Sequence, residues 1–455
     1  MGGKAFALEP KPITPVKTKY RKMGDKFPVP ESIPILEELR KYEPVSMSGQ
    51  PLVVWDKAKG FQVYDRWGNC WIDWSCGVLV ASAGHSRPEI TKAIKAQADK
   101  EMLHNYCFPS ELRAKLAKRL VELAPKEMNK AFILTTGGET TENAIKLSKT
   151  YGQKVGGLNK LVFVTYEGAF HGRTLGAQLA GGSPALKEWI GKVDPTFVQV
   201  PFPGDFRVKD KSFATFENAL KEKGVKPEQV CGVMSETYQG GTAAFMPVDY
   251  AKALRAFCDK YNALLTFDEV QAGFGRTGKM FGFEHYGIVP DLACFGKAIS
   301  SSLPISAVIG RSKYMDMFAP GSMTSTHTGN PICCAAALAN LDIIVKEDLA
   351  GQAAKKGDFL LAGLNKLAKK YSNRVLAVNG KGMVAAVQVG TKGNLDGDLA
   401  WEIIGNCIKR GLLLFSPVGP EGASVKIAPP IITPEDAITE GLTVLDEAMA
   451  EAVGK

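Results

Sequence analysis

From about residue 80 to about residue 340, short apolar runs alternate with amphipathic helical stretches. The runs are LVFVT, TFVQV, CGVMS, ALLTF, DLACF and ISAVIG. Strands that alternate with helices are joined by crossover connections, which place them side by side and mostly parallel. The pattern therefore predicts an α/β fold, with a large domain that holds a mostly parallel sheet between helices. Ligands of such sheets bind at the carboxyl ends of the strands.

Two ionisable residues lie at these predicted strand ends. Asp268 follows ALLTF, and Lys297 follows DLACFG. A lysine amine can form a Schiff base with the aldehyde of pyridoxal phosphate, and an acid can keep the ring nitrogen protonated so that the ring withdraws electrons from a substrate carbanion. Each residue alone is ordinary, as a strand-end acid that caps a loop or as a solvated lysine. Interpreting the two residues as a cofactor site requires further residues nearby that are also suited to binding the cofactor.

Two glycines and an aromatic residue supply that support. Gly137 and Gly138 come directly before a helical pattern in TTGGETTENAIKLSK, where free amides and the helix dipole can bind a phosphate. Phe170 follows LVFVT and can stack on a flat heterocycle. Taken singly, the glycines indicate a turn, Phe170 a core residue and the adjacent His171 a hydrogen-bonded loop residue. Together with the acid and the lysine, they predict a cofactor site.

The remaining segments predict a smaller α+β domain. The first 45 or so residues, rich in proline and lysine, are expected to form an arm, and PLVVWDKAKGFQVYDRWGNCWIDWS predicts a small antiparallel meander. Long helices, VLAVNGKGMVAAVQV and a last helix follow Asn340. Because 455 residues exceed what one core usually supports, we predict an arm and meander (1–80), a large cofactor-binding domain (81–340) and a C-terminal small domain (341–455).

Composition argues against several other classes of protein. No apolar run approaches the roughly 20 residues of a membrane span, and the N-terminus lacks the apolar core of a secretory signal, so we expect no membrane association and a cytoplasmic location. Nine cysteines without a CxxC pair predict free thiols, and five dispersed histidines predict no metal site. The net charge of +9 is spread along the chain. It indicates an anionic small ligand in preference to nucleic acid.

Three phrases resemble the class III aminotransferases, the ornithine and 4-aminobutyrate aminotransferase group of fold type I pyridoxal phosphate enzymes. They are FDEVQAGFGRTGKMF, PDLACFGKAI and GNPICCAAALA, within a likeness that runs from about residue 35 to the C-terminus. The resemblance implies a transaminase that uses pyridoxal 5'-phosphate. Lys297 would form the Schiff base with the cofactor and transfer the proton, and Asp268 would bind the pyridine nitrogen.

The resemblance also assigns the other cofactor contacts. Gln271 would approach the ring hydroxyl, while Val270 and Phe170 would pack on the two faces of the ring. Gly137 and Gly138 match the phosphate loop of the family, in which a serine or threonine often takes the second position. All five residues are therefore expected to line one pocket.

Four residues match positions near the substrate or the partner subunit in the family. Thr326 corresponds to a threonine that reaches the phosphate of the neighbouring subunit, which implies a homodimer or a dimer of dimers with shared active sites. Val78, Tyr106 and Phe108 lie where relatives line the substrate pocket. Core or interface positions explain these three equally well.

Two departures from the family pattern concern the substrate carboxylate. The phrase EPVQGEGG of many relatives is ETYQGGTAAF here, which keeps Glu236 and Gln239 but has Gly241 in place of the second glutamate. That glutamate pairs with an arginine that receives the α-carboxylate, and Lys426 stands where the arginine is expected. A lysine lacks the planar two-bond fork of a guanidinium. The amino donor is therefore expected to lack a carboxylate near the reacting carbon, with Glu236 and Lys426 as candidate substrate contacts.

Several activities remain open at this point. The donor can be a β-aminoacyl thioester such as 3-aminobutyryl-coenzyme A, whose phosphates suit the basic surplus, or an ω-amine, with a 2-oxo acid such as 2-oxoglutarate as acceptor. Ornithine or 4-aminobutyrate is the alternative donor. An amino acid racemase or epimerase would use the same apparatus but needs no oxo acid. A decarboxylase and a non-catalytic binding protein are weaker alternatives.

Overall fold

The computed structural model describes residues 4–454, and the chain divides into two compact units. The first unit combines the chain up to Arg87 with the part from Gln352 onward, and the second runs from Pro88 to Gly351. The domain boundaries predicted from the sequence, at residues 80 and 340, remain a prediction. Each unit is described by itself.

The N-terminal part of the first unit contains short strands and two helices. The strands predicted as a meander, β5 to β7, pair in antiparallel order. Met23 and Phe27 are buried and β3 pairs with β7, so part of the segment expected to be an arm is packed in this unit. The last helix, α2, is a single left-handed turn in which all four residues have positive φ. The elements are β1 (Lys11–Pro12), β2 (Val16–Lys17), β3 (Lys22–Met23), β4 (Lys26–Phe27), α1 (Ile33–Tyr42), β5 (Lys57–Lys59), β6 (Gln62–Tyr64), β7 (Cys70–Asp73) and α2 (Cys76–Leu79).

The second unit alternates strands and helices, as the apolar runs predict. Its elements are α3 (Pro88–Ala98), α4 (Glu111–Leu123), β8 (Lys130–Leu134), α5 (Gly137–Gly156), β9 (Val162–Tyr166), α6 (Leu175–Ala180), β10 (Phe197–Val200), α7 (Ala214–Glu222), β11 (Val230–Glu236), α8 (Val248–Lys260), β12 (Leu264–Asp268), β13 (Leu292–Phe295), β14 (Ser306–Gly310), α9 (Ser312–Met315) and α10 (Pro331–Lys346). Strand β8, with the sequence KAFIL, was not among the predicted runs.

A seven-stranded sheet forms the centre of the second unit, in the order β10-β9-β11-β12-β13-β14-β8. The first five strands are parallel to one another, and β14 is antiparallel to both β13 and β8. All seven residues of β11 and all five of β12 are buried, as expected for parallel strands covered on both faces. The predicted α/β class and mostly parallel sheet are confirmed, with β14 as the reversed strand.

The C-terminal part returns to the first unit. Its central strand, β16, pairs in antiparallel order with β15, β17 and β19, while β18 pairs in parallel with β7. Within residues 4–454, no helix is long and apolar enough to cross a membrane. The elements are α11 (Leu349–Lys370), β15 (Val375–Gly380), β16 (Ala385–Thr391), β17 (Asn394–Leu395), α12 (Gly397–Lys409), β18 (Leu412–Leu413), β19 (Ser424–Ile427) and α13 (Glu435–Ala452).

Candidate active site

A pocket in the second unit lies where the carboxyl ends of the parallel strands meet. The loops after β9, β11, β12 and β13 and the first turn of α5 form its walls. The structure thus brings Asp268 and Lys297 together with the predicted glycines, Phe170, Val270 and Gln271. The lining residues are Gly137, Gly138, Phe170, His171, Gly172, Glu236, Tyr238, Asp268, Val270, Gln271, Ala272 and Lys297.

Two acidic residues of the pocket occupy paired positions on adjacent strands. Glu236 ends β11, Asp268 ends β12, and the strand register places them opposite each other. Side chains at such positions lie on the same face of the sheet, about 5 Å apart. Both are buried, and burial raises the pKa of Glu236 to about 7. The pair favours a cationic group in the pocket, because each buried carboxylate is costly without one.

The carboxylate of Asp268 is held in place by two hydrogen bonds. His171 Nδ1 lies 2.9 Å from Oδ2, and the backbone N–H of Val270 donates to Oδ1 over 3.0 Å. Sequence reasoning treated His171 only as a loop residue and missed this contact, although its place beside Phe170 after β9 was a signal. His171 Nε2 is buried and has no partner within residues 4–454. The imidazole therefore orients Asp268 toward the pocket.

Lys297 is the basic residue of the pocket. It begins the turn after β13 with φ of 40°, in the left-handed region that lysine rarely adopts. Its side chain is half-buried as a whole, but its ammonium group lies inside the pocket, where desolvation lowers its pKa. Among residues 4–454, none forms a hydrogen bond or an ion pair with Lys297 Nζ. A strained backbone that carries an unpaired buried amine is typical of a catalytic position.

The first turn of α5 forms one wall of the pocket. Thr136 and Glu139 close a capping box at its start, which leaves the backbone N–H groups of Gly137 and Gly138 without intrahelical acceptors. A Cβ on Gly137 would lie 3.0 Å from Val270 Cγ1, whereas one on Gly138 would meet nothing closer than 3.8 Å. Only Gly137 is therefore required to be a glycine by its neighbours.

Polar atoms without partners point to a ligand. Gln271 Oε1, like His171 Nε2, is buried and has no hydrogen-bond partner in the described part of the chain. Buried polar atoms are nearly always satisfied, so those of a pocket wall are explained by a bound group. Pyridoxal 5'-phosphate fits the set, with an acid for its ring nitrogen, free helix-start amides for its phosphate and an unpaired lysine for its aldehyde.

Four residues predicted near the substrate or partner lie outside this pocket. Thr326 is exposed on the segment before α10, and Tyr106 lies on the loop before α4 with 39% of its surface exposed. In the first unit, Val78 is 41% exposed on the left-handed turn α2. Lys426, on β19, has no exposed surface. Within the second unit, Thr326 and Tyr106 are therefore not among the residues that line the pocket.

Comparison with known proteins identifies the family. A family model described as aminotransferase class-III matches residues 45–449. Acetylornithine aminotransferase of Caldanaerobacter subterraneus subsp. tengcongensis is 34% identical over 396 residues, which cover 87% of this chain and 94% of that protein.

Solved structures give the same result for the fold. An (S)-enantioselective omega-transaminase from Thermomicrobium roseum is 28% identical with a TM-score of 0.80, covering 92% of this chain and 94% of that one. Ornithine aminotransferase from Toxoplasma gondii, at 24% identity, has a TM-score of 0.82 with 93% and 96% covered. The chain belongs to the class III aminotransferases and is a pyridoxal-phosphate-dependent transaminase.

Proposed function

We propose that this transaminase takes the amino group from a donor whose reacting carbon carries no carboxylate, and passes it to a 2-oxo acid. The observation that carries this proposal is the burial of Lys426, which has no exposed surface and already interacts with other residues. Gly241, in the turn after β11, offers no side chain either. The two positions at which relatives select an α-carboxylate thus provide no available charge.

Two kinds of donor fit this proposal, and a different observation supports each. A β-aminoacyl thioester such as 3-aminobutyryl-coenzyme A is favoured by the net charge of +9, because the coenzyme carries several phosphates. An ω-amine or ω-amino acid is favoured by the names of similar proteins, among them acetylornithine aminotransferase and an omega-transaminase. In both, the reacting amine is distant from a carboxylate.

The pocket residues suggest how the cofactor is held. Asp268 would bind the protonated ring nitrogen, with Val270 and Phe170 on the two ring faces. Gln271 would contact the ring hydroxyl through its side-chain amide, and the backbone amides at the start of α5, at Gly137 and Gly138, would bind the phosphate. When bound, the cofactor supplies an electron-withdrawing ring that stabilises negative charge on the substrate carbon.

Lys297 would carry the proton during the reaction. Burial lowers its pKa, which increases the neutral fraction of the amine that can accept a proton at Nζ. The adjacent turn is strained, so the main chain fixes the point from which the side chain extends. We infer that Nζ would take the proton from the donor carbon and deliver it to the cofactor on the same face of the pocket.

Gly137→Ala is expected to weaken cofactor binding by about tenfold, whereas Gly138→Ala should leave it nearly unchanged. The added methyl group would lie 3.0 Å from Val270 Cγ1 in the first variant and 3.8 Å from Thr174 Oγ1 in the second. Displacing Val270 moves a wall of the ring site, at a cost of about 1 to 3 kcal/mol. Equilibrium dialysis of both variants measures the effect, and equal affinities would contradict the ring-face assignment of Val270.

We further infer a homodimer with shared active sites. Thr326 is exposed and lies outside the pocket of its own chain, which leaves it available to the cofactor phosphate of a partner. Light scattering on the purified enzyme should give twice the monomer mass or a multiple of it. In mixed dimers, Thr326→Ala on one subunit should weaken cofactor binding on the other. A fully active monomer would contradict this arrangement.

A spectral screen tests the donor class. The holoenzyme is mixed in turn with 3-aminobutyryl-coenzyme A, 4-aminobutyrate, ornithine and several α-amino acids, and the loss of the cofactor's visible absorption is followed. Rapid loss with one of the first three supports the proposal. Reaction with 4-aminobutyrate or ornithine but not with the thioester removes the thioester and leaves the ω-amino acid. Reaction with α-amino acids alone would overturn the proposal.

The need for a second substrate distinguishes a transaminase from a racemase or epimerase. A transaminase stops after one turnover without an oxo acid, because the amino group has no acceptor, whereas a racemase continues. Multiple turnovers of a chiral amino acid in the absence of any oxo acid would replace transamination of a non-α donor as the proposed function. Strict dependence on an oxo acid is the expected result.

A further inference from the structure

Glu236 joins two loops of the pocket through its carboxylate. The backbone N–H of Phe170, on the loop after β9, donates to Oε2 over 3.1 Å, and the backbone N–H of Gly240, on the turn after β11, donates to Oε1 over 2.9 Å. A carboxyl group whose two oxygens each accept a backbone N–H is held in one orientation. The side chain is thus a fixed link between segments 70 residues apart in sequence.

The Phe170 side of this link concerns the predicted ring-stacking residue. Phe170 is 40% exposed as a residue, so packing alone does not fix the position of its ring. The same loop is held by Thr141 Oγ1, which donates to the carbonyl of His171 over 2.7 Å. The Glu236 carboxylate is the acceptor for the N–H of Phe170 itself and therefore sets the backbone from which the ring projects.

The Gly240 side concerns Gln271. A Cβ on Gly240 would lie 2.5 Å from Gln271 Nε2 and 2.8 Å from Glu236 Oε1. The turn is therefore packed directly against the Gln271 amide, with no room for any side chain between them. Because Glu236 fixes the Gly240 N–H, it also fixes the backbone against which the Gln271 side chain packs.

We propose that Glu236 is a positioning residue for the cofactor ring, acting through Phe170 on one side and through the Gly240 turn and Gln271 on the other, and that it does not bind the substrate. This inference rests on the proposed cofactor site and replaces the substrate role that family resemblance suggested for Glu236. Both carboxylate oxygens already accept backbone N–H groups inside a buried site. Each oxygen therefore already has a hydrogen-bond partner within the protein.

Glu236→Gln tests the link, because glutamine keeps the shape but replaces one acceptor oxygen with an N–H donor. In the holoenzyme, we expect the cofactor to dissociate about tenfold faster, the visible circular dichroism of the bound cofactor to change, and the KM of the donor to stay within about twofold. Unchanged dissociation and dichroism, or a raised donor KM without either change, would overturn the proposal.

A double-variant cycle separates a specific link from general damage. If Glu236 acts through Phe170, Glu236→Gln and Phe170→Leu combined should speed dissociation by clearly less than the product of the two single effects; full multiplicative effects would overturn that route. Glu269→Gln is the matched control, since Glu269 is an adjacent buried acid that accepts from Gly282 and Phe283 and does not line the pocket. It should leave the dichroism unchanged. Failure of the cofactor site itself would appear separately, as wild-type protein that does not bind pyridoxal 5'-phosphate.

Discussion

Lys297→Ala is expected to lower turnover by at least about a thousandfold and to remove the visible absorption of the bound cofactor. The loss has two parts, since the variant lacks both the amine that attaches to the cofactor aldehyde and the base that moves the substrate proton. Stopped-flow absorbance and steady-state kinetics measure the two parts separately. A variant that kept either property would show that another residue performs it.

Lys187→Met provides a matched control for this prediction. Lys187 is also buried, and burial lowers its pKa to about 8. Its Nζ, however, donates to the carbonyl of Leu179 and to Gln199 Oε1, and it does not line the pocket. The control variant should keep the visible band and most of the activity. Burial and a lowered pKa would then be insufficient to explain the effect at Lys297.

Asp268→Asn is expected to reduce turnover by about a hundredfold or more. The amide keeps the size of the side chain but removes the negative charge that holds the ring nitrogen protonated, so less charge is stabilised in the transition state. It also changes the partner of His171 Nδ1, which lies 2.9 Å from the carboxylate. Rates of proton loss from a deuterated donor carbon measure the effect on chemistry directly.

Glu269→Gln serves as the control for Asp268 as well. The two acids are adjacent in sequence and both buried, and burial raises the pKa of Glu269 to about 7. Glu269 accepts hydrogen bonds from Thr237, Gly282 and Phe283, away from the pocket lining. If both variants lost activity equally, the loss would come from disruption of the fold of this segment. It would then not support a role of the Asp268 charge at the ring nitrogen.

The sheet and the core of the site were largely predictable from sequence. Apolar runs separated by helical stretches predicted parallel strands, and the carboxyl ends of parallel strands share one edge, so Asp268 and Lys297 were expected at the same edge of the sheet. The reversal of β14 was not predictable, because ISAVIG is equally apolar in either direction. Strand β8, KAFIL, was missed although its sequence is as apolar as the predicted runs ALLTF and DLACF.

Contacts between distant segments account for most of what sequence reasoning missed. His171 and Asp268 are 97 residues apart, and their hydrogen bond depends on the order of β9, β11 and β12 in the sheet. The link from Glu236 to Phe170 has the same origin. The burial of Lys426 was unexpected for another reason, since a lysine usually predicts an exposed position. Only its place on β19, paired with β16, explains that burial.

Locating the cofactor on the chain shows directly whether Lys297 forms the Schiff base. The holoenzyme is reduced with borohydride, digested and analysed by mass spectrometry, which identifies the lysine that carries the reduced cofactor. We predict attachment at Lys297, in the peptide containing FGKAIS. Attachment at any other lysine, or a chain that carries no cofactor after reduction, would contradict it.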